Sequence, residues 1–208
     1  LRIISGQARG RKFFAPGKGK GIRPTSDRAR EALFSIIGSR VQQAYVLDLY
    51  AGTGALGLEA LSRGASQVSF VELHQNSLEL IRRNCSACLQ SMNPDTVKRV
   101  QLVKHDLRRG ITSNLLRLNE ESRFDLIFLD PPYGHGLAEN SLLDLDKSEL
   151  CDKNVLIIAE ESSIETLPAH FPNGLTLGDI RKYGEATFWF YTFEKSKGEN
   201  RVSNIEIL

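Results

Sequence analysis

Cysteine is scarce in this chain, and what there is forms no paired set: Cys85, Cys88 and Cys151 in 208 residues. An odd, unpaired number excludes a small scaffold held together by disulfides. Cys85 and Cys88 have the C-x-x-C spacing of a redox or metal pair, yet they lie inside the helical pattern Leu78-Glu79-Leu80-Ile81-Arg82-Arg83-Asn84-Cys85. No second Cys/His pair stands near them, so they read as buried, reduced helix residues, and no metal site is expected. Long apolar runs are missing as well. None approaches the roughly 20 residues that span a bilayer, and no basic-then-apolar leader opens the chain. The expectation is a soluble cytoplasmic protein with no membrane partner.

A strong overall charge is the third absence: the net charge is only +2. The balance is uneven, however. Residues 1–40 hold ten Lys/Arg (Arg9, Arg11, Lys12 and Arg23 among them) against Asp27 and Glu31, a net +8; the remaining 17 basic and 23 acidic residues leave −6. A flexible basic arm on an acidic body suits a polyanion gripped through its phosphates. A solvated surface hairpin gives the same composition.

What is present is an alternation of strand and helix patterns. Arg2–Gly6 and Arg11–Ala15 read as a short hairpin around Gly6 and Gly10, followed by a Gly/Lys loop at 16–21. Thr25 or Ser26 can cap a helix whose apolar positions Ala29, Ala32, Leu33, Ile36 and Ile37 stop at Gly38. Strands are then expected at 45–50, 67–73, 97–103, 124–129 and 155–160. Helices are expected at 54–63, 75–90, 107–118 and 137–145. The segments 175–183 and 186–193, turning at Gly184-Glu185, close the pattern as an antiparallel hairpin. Such alternation predicts an α/β fold, Rossmann-like, with a mostly parallel seven-stranded sheet covered on both faces. The expected division is a basic hairpin-and-helix appendage over 1–40, a catalytic domain over 41–194 and a polar tail over 195–208.

The first strand runs into Ala51-Gly52-Thr53-Gly54-Ala55-Leu56-Gly57, where Gly52, Gly54 and Gly57 match G-x-G-x-x-G between strand and helix. Glu72 follows twenty positions after Gly52, at the end of the second strand. Glycines let a ligand approach the backbone, and the acid can hold a ribose diol. The pattern specifies an adenosine-containing cofactor without saying which. Asp48 discriminates: an acid beside the loop would repel a pyrophosphate but suits the ammonium of an amino-acid tail, which points to S-adenosylmethionine. Asp106, just past the third strand, can accept from the adenine amino group or simply cap a helix.

Asp130-Pro131-Pro132-Tyr133 ends the apolar run Phe124–Leu129. Prolines cannot continue a strand, so the chain breaks away stiffly at the sheet's carboxyl edge, where open α/β sheets bind ligands. A carboxylate, a carbonyl and a flat ring together make a receptor for the amino group of a planar heterocycle. A Pro-Pro turn with a solvated Asp and a packing Tyr is the plainer alternative.

Asp48-Leu49-Tyr50-Ala51-Gly52-Thr53-Gly54-Ala55-Leu56-Gly57-Leu58-Glu59-Ala60-Leu61-Ser62-Arg63-Gly64-Ala65 resembles the cofactor motif of the RsmD-type bacterial small-subunit rRNA guanine-N2 methyltransferases. The resemblance extends to Arg23-Pro24-Thr25 with Arg28, to Arg30-Glu31-Ala32-Leu33-Phe34, to the Asp130 tetrapeptide and to Lys182-Tyr183-Gly184. It spans residues 2–194 in order, with Tyr50 standing where Phe is usual. It implies a class I S-adenosylmethionine-dependent methyltransferase acting on the N2 of guanine 966 in 16S rRNA. The implied catalytic residues are Asp130, Pro131, Pro132 and Tyr133. The implied cofactor contacts are Asp48, Tyr50, Ala51, Gly52, Thr53, Gly54, Glu72, Leu73, Asp106 and Thr25, and Arg9, Arg11, Lys12 and Arg23 would contact RNA. The expected partner is 16S rRNA in an assembled or partly assembled small subunit, presented by ribosomal proteins to a monomeric enzyme. Two rival readings remain: methylation of the adenine amino group in DNA, and a catalytically silent RNA-binding assembly factor.

Overall fold

The branched apolar runs of the sequence become the centre of one sheet in the computed structural model, which describes residues 1–14, 26–90, 92, 99–111 and 123–193. In chain order the elements are α1 (Asp27–Ile37), β1 (Tyr45–Leu49), α2 (Ala55–Ser62), β2 (Gln67–Glu72), α3 (Gln75–Leu89), β3 (Val100–Lys104), β4 (Phe124–Leu129), α4 (Leu137–Lys147), β5 (Cys151–Ser162), β6 (Leu175–Tyr183) and β7 (Ala186–Phe193). The strand order is β3-β2-β1-β4-β5-β7-β6. The first five strands are parallel, and β7 enters antiparallel between β5 and β6. The expected mixed seven-stranded sheet with a closing hairpin is what forms. The hairpin strands keep the expected bounds, whereas β5 begins four residues early, at Cys151.

Strand periodicity divides the interior into two cores. Val46, Val68, Phe70, Phe128 and Ile158 pack with Leu33 and Phe34 of α1, Leu58 of α2 and Ile81 of α3. Leu47, Leu49, Ile127 and Ile157 face the other way, against Leu142 and Leu145 of α4. Alternate residues of a strand point to opposite faces, so Asp48 shares the α2 face with Val46. Ser26 caps α1, its Oγ accepting from Ala29 N at 3.1 Å, and Gly38 ends the helix.

The amino-terminal segment departs from the expectation of a flexible arm. Arg2 and Lys12 pair across a single bridge, and Ile3, Ala8 and Phe13 are buried in the α2-side core. The reason lies in α2. Glu59, itself fully buried, accepts the N–H groups of Ile4 (2.7 Å) and Ser5 (3.0 Å) and pairs with Arg63 and the buried Arg30. Ser62 adds a second anchor, its Oγ accepting from Ala8 N at 2.9 Å and donating to the Ser5 carbonyl at 2.6 Å. Residues 1–14 are therefore part of the sheet's own packing.

The expected helix at 107–118 is a short 3₁₀ turn, Leu107–Arg109, in its described part. The remainder of that helix, the loop at 16–21, Arg23, Thr25 and the tail at 195–208 lie outside the described residues. No helix among the described residues is long and apolar enough to cross a membrane.

Candidate active site

The carboxyl ends of the parallel strands surround a cleft of about 1030 Å³. Its wall over β1 is the glycine loop. Tyr50 leaves the strand in the left-handed region (φ 60°), strained for a side chain of this size. Its hydroxyl pairs with Ser141 of α4 at 2.9 Å. Gly54 (φ 76°) then starts α2. Gly57 serves packing, since a Cβ there would lie 2.3 Å from the Phe70 ring. Asn84 of α3 ties the loop to the amino-terminal segment, donating to the Thr53 carbonyl (2.9 Å) and exchanging bonds with the backbone of Phe14.

Asp48 and Glu72 brace this loop from beneath. Asp48 accepts from Gly57 N at 2.9 Å. Glu72 accepts from Gly52 N at 3.0 Å and from His74 N at 2.9 Å. A carboxylate has about four acceptor positions, so these bonds leave each acid capacity for a ligand. Asp48 is 2% exposed. Burial pushes its carboxyl up to about 7; the Gly57 N–H opposes that shift and the Glu72 charge adds to it. Burial of this kind disfavours the charged form, which a neighbouring cation would favour.

Beyond β3, Asp106 caps the 3₁₀ turn by accepting from Arg108 N at 3.1 Å. The Arg108 guanidinium forks onto the same carboxylate with two bonds of 2.8 Å, which lowers the Asp106 carboxyl to about 2. The capping role is thus realised. A ligand's amino group must share Asp106 with Arg108 or displace it, a competition that no spacing rule signals.

On the other side of the glycine loop, Asp130 leaves β4 with Pro131 buried behind it and Tyr133 half-buried. The β4–β5 register pairs Phe128 with Ile158 and Leu129 with Ala159. One step further sets Asp130 beside Glu160. The Asp130 carboxyl is raised well above its ordinary range by burial and by the charges of Glu160, Asp48 and Glu161. Tyr133 donates its hydroxyl to Glu160 at 2.6 Å. Glu161 accepts from Ser162 N at 2.8 Å and also bonds the backbone of Gly134, so β5 holds the loop from both sides. Glu160 and Glu161, 5% and 3% exposed, escaped sequence reasoning. Their only signal was two successive acids ending an apolar strand at the ligand edge of the sheet.

Asp48, Tyr50, Ala51, Gly52, Thr53, Glu72, Leu73, Asp106 and the whole Asp130–Tyr133 tetrapeptide line this one cleft. Gly54 shapes it from the start of α2. Arg9, Arg11 and Lys12 do not line it. They are exposed on the amino-terminal segment, which Ser62 anchors at the far end of α2 and Asn84 anchors beside the glycine loop. The cysteines are buried and unpaired, with burial raising the Cys85 thiol to about 12 and that of Cys88 to about 11. At such values neither is a reactive thiolate. Among the described residues no group of three or more His, Cys, Asp or Glu could hold a metal ion.

A parallel sheet extended by an inserted antiparallel hairpin, with a glycine loop on β1 and an acid closing β2, defines an S-adenosylmethionine-dependent methyltransferase fold. Comparison with known proteins narrows the class: residues 1–192 match the model of the family described as Conserved hypothetical protein 95, and the chain belongs to that family. It is 32% identical to Ribosomal RNA small subunit methyltransferase D of Haemophilus influenzae over 92% of this chain and 93% of that protein. To the protein of the same name from Escherichia coli it is also 32% identical, over 82% and 81%. The solved structure of yhhF from Escherichia coli superposes with a TM-score of 0.75 at 30% identity, covering 93% of this chain and 98% of that one.

Proposed function

We propose that this protein methylates the exocyclic N2 of one guanine in small-subunit rRNA, a reading supported by relatives named as small-subunit rRNA methyltransferases, with guanine 966 as the target that the family resemblance of its motifs implies. The observation that carries the reading is the position of Asp130. It stands between the cofactor loop and Tyr133 in one cleft, on a stiff turn held by Glu160 and Glu161.

The residues suit S-adenosylmethionine. Asp48 supplies a buried carboxylate for the ammonium, Glu72 acceptors for the ribose hydroxyls, and Asp106 an acceptor for the adenine amino group. When bound, the cofactor supplies an electrophilic methyl on a positively charged sulfur. The protein's own task is to prepare the nucleophile. Guanine N2 is a weak one because its lone pair is delocalised into the ring. Asp130 carboxylate and the Pro131 carbonyl each accept one N–H, which favours pyramidal nitrogen and turns its lone pair toward the methyl. The ring-fixed φ of Pro131 and Pro132 holds that carbonyl in one orientation, and a fixed loop lowers the orientational cost. Tyr133 offers its ring to the base while Glu160 fixes its hydroxyl. As positive charge builds on nitrogen, the Asp130 carboxylate stabilises it electrostatically, and the methylated nitrogen then loses one of its protons to regain a neutral amine. Glu160 and Glu161, behind Asp130, deepen the negative potential in which a cationic donor and an amino group are both favoured.

The test is methyl transfer from labelled cofactor to small ribosomal subunits lacking the modification, with mapping of the modified nucleoside. N2-methylguanosine at a single position is the expected product. N6-methyladenine in duplex DNA, or binding of cofactor without turnover on any acceptor, sinks this reading in favour of its rivals. Asp130→Ala is expected to abolish transfer and to keep cofactor affinity within a few-fold; wild-type turnover by that variant removes Asp130 from the mechanism.

A further inference from the structure

The turn after β5 carries by far the most exposed large apolar side chain among the described residues, Ile164 at 87%. Phe14, Ile36 and Ile180 are 40–45% exposed, and Phe14 lies against the Arg83 guanidinium. An isolated exposed isoleucine is ordinary in itself. Its position is not. Ile164 lines the same cleft as Asp130 and Tyr133. Across the sheet the order is β2 with Glu72, β1 with the glycine loop, β4 with the tetrapeptide and then β5. Ile164 therefore borders the base-binding half, on the side away from the cofactor.

The turn is also held in place. Glu165 N donates to the Ser162 carbonyl at 3.0 Å, Ser163 N to the Glu185 carbonyl at 2.9 Å, and Ser162 N to the Glu161 carboxylate at 2.8 Å. These bonds fasten the turn to the β6–β7 hairpin and to the strand that steadies the tetrapeptide. Ile164 is presented at the cleft mouth by a braced turn.

We propose that Ile164 is a wedge for base extrusion: it fills the place in the RNA stack that the target guanine vacates on entering the cleft. The proposal rests on the rRNA-guanine reading above. A base must leave its stack to reach Asp130, at a cost of unstacking. The gap it leaves is walled by the apolar faces of its neighbours, and a branched aliphatic side chain fills that gap with little rotamer freedom to lose. Apolar residues of this size wedge between base steps in proteins that distort nucleic acids.

The experiment compares wild type, Ile164→Ala and Ile164→Leu on two substrates. One is small subunits lacking the modification; the other is the same subunits with the bases flanking the target changed to uridine, the base that stacks least. Ile164→Ala is expected to lower kcat/KM on the first about tenfold, and Ile164→Leu to stay near wild type. On uridine-flanked subunits the Ile164→Ala loss shrinks to below about threefold, because less stacking has to be replaced. Melting temperature and cofactor affinity are unchanged throughout, since the side chain supports no core. Wild-type turnover by Ile164→Ala on ordinary subunits, or an equal loss on both substrates, overturns the wedge while the guanine reading stands. If the wild-type protein methylates neither substrate, both fall together.

Discussion

Asp48 and Asp130 are carboxylates kept where charge is costly, and their titration carries the first consequence at the scale of single residues. A carboxyl raised in the folded state binds its proton more tightly there than in the unfolded chain, so stability falls as pH rises through the interval between the two values. For Asp48 that interval runs from 3.8 to about 7. The penalty is absent below about pH 4 and complete above about pH 7. Asp48→Asn should therefore stabilise the cofactor-free protein above pH 7, by up to about 4 kcal/mol, and do little near pH 4. Thermal unfolding at both values measures it. The same substitution should weaken cofactor binding at neutral pH and remove the strengthening expected of wild type as pH rises toward about 7, as read by titration calorimetry. Stabilisation that is the same at both pH values would mean that the Asp48 charge is not what costs. Asp130 shares this environment, so Asp130→Ala is expected to fold at least as well as wild type at neutral pH, and its loss of turnover is then chemical.

At the scale of elements, the packing of α2 on β2 decides whether the glycine loop is aimed correctly. A Cβ at Gly57 would meet the Phe70 ring at 2.3 Å and Val68 Cγ1 at 2.7 Å, and Phe70 is fully buried with no room to turn aside. Gly57→Ala should cost about 1–3 kcal/mol by overpacking. It should also weaken cofactor binding, because the helix it displaces carries the Gly57 N–H that Asp48 accepts. Pairing it with Phe70→Leu restores space, and a recovery of melting temperature in the double variant is the expected outcome. Equal melting temperatures for wild type and Gly57→Ala would show that the helix yields without cost. The amino-terminal segment belongs to the same element pair, since Glu59 and Ser62 of α2 satisfy its backbone.

Over the whole molecule, the proposed RNA recognition divides between the cleft and the surface. Arg9, Arg11 and Lys12 lie outside the cleft, on a segment packed into the core, so they can act only on a partner large enough to reach past it. An RNA of ribosomal size does. Replacing all three with Ala should leave cofactor affinity unchanged and weaken RNA binding. The slope of log affinity against log salt should flatten by about 2, from fewer displaced counterions. An unchanged slope would make this face a solvated hairpin with no part in binding.

The sequence by itself determined the strands, their alternation with helices, the closing hairpin and the residue types of the cleft. Each of these rests on local pattern: apolar runs such as Phe124–Leu129, glycines at Gly52, Gly54 and Gly57, and two prolines after an acid. A pattern within a few residues suffices when one strand and its following turn define a feature. Only the tertiary structure decided what depends on neighbours distant in sequence. Glu160 and Glu161 became part of the site because β5 lies beside β4, setting them behind Asp130 across thirty residues of chain. Arg108 took up the Asp106 carboxylate because a 3₁₀ turn formed where a longer helix was expected. Residues 1–14 were drawn into the core because Glu59 and Ser62, which the sequence places only within a helix over 54–63, satisfy the backbone of a segment more than fifty positions earlier. Long-range pairing of buried polar groups leaves no periodic trace in a sequence, and here it decides which acids stand behind Asp130 and which segment packs on α2.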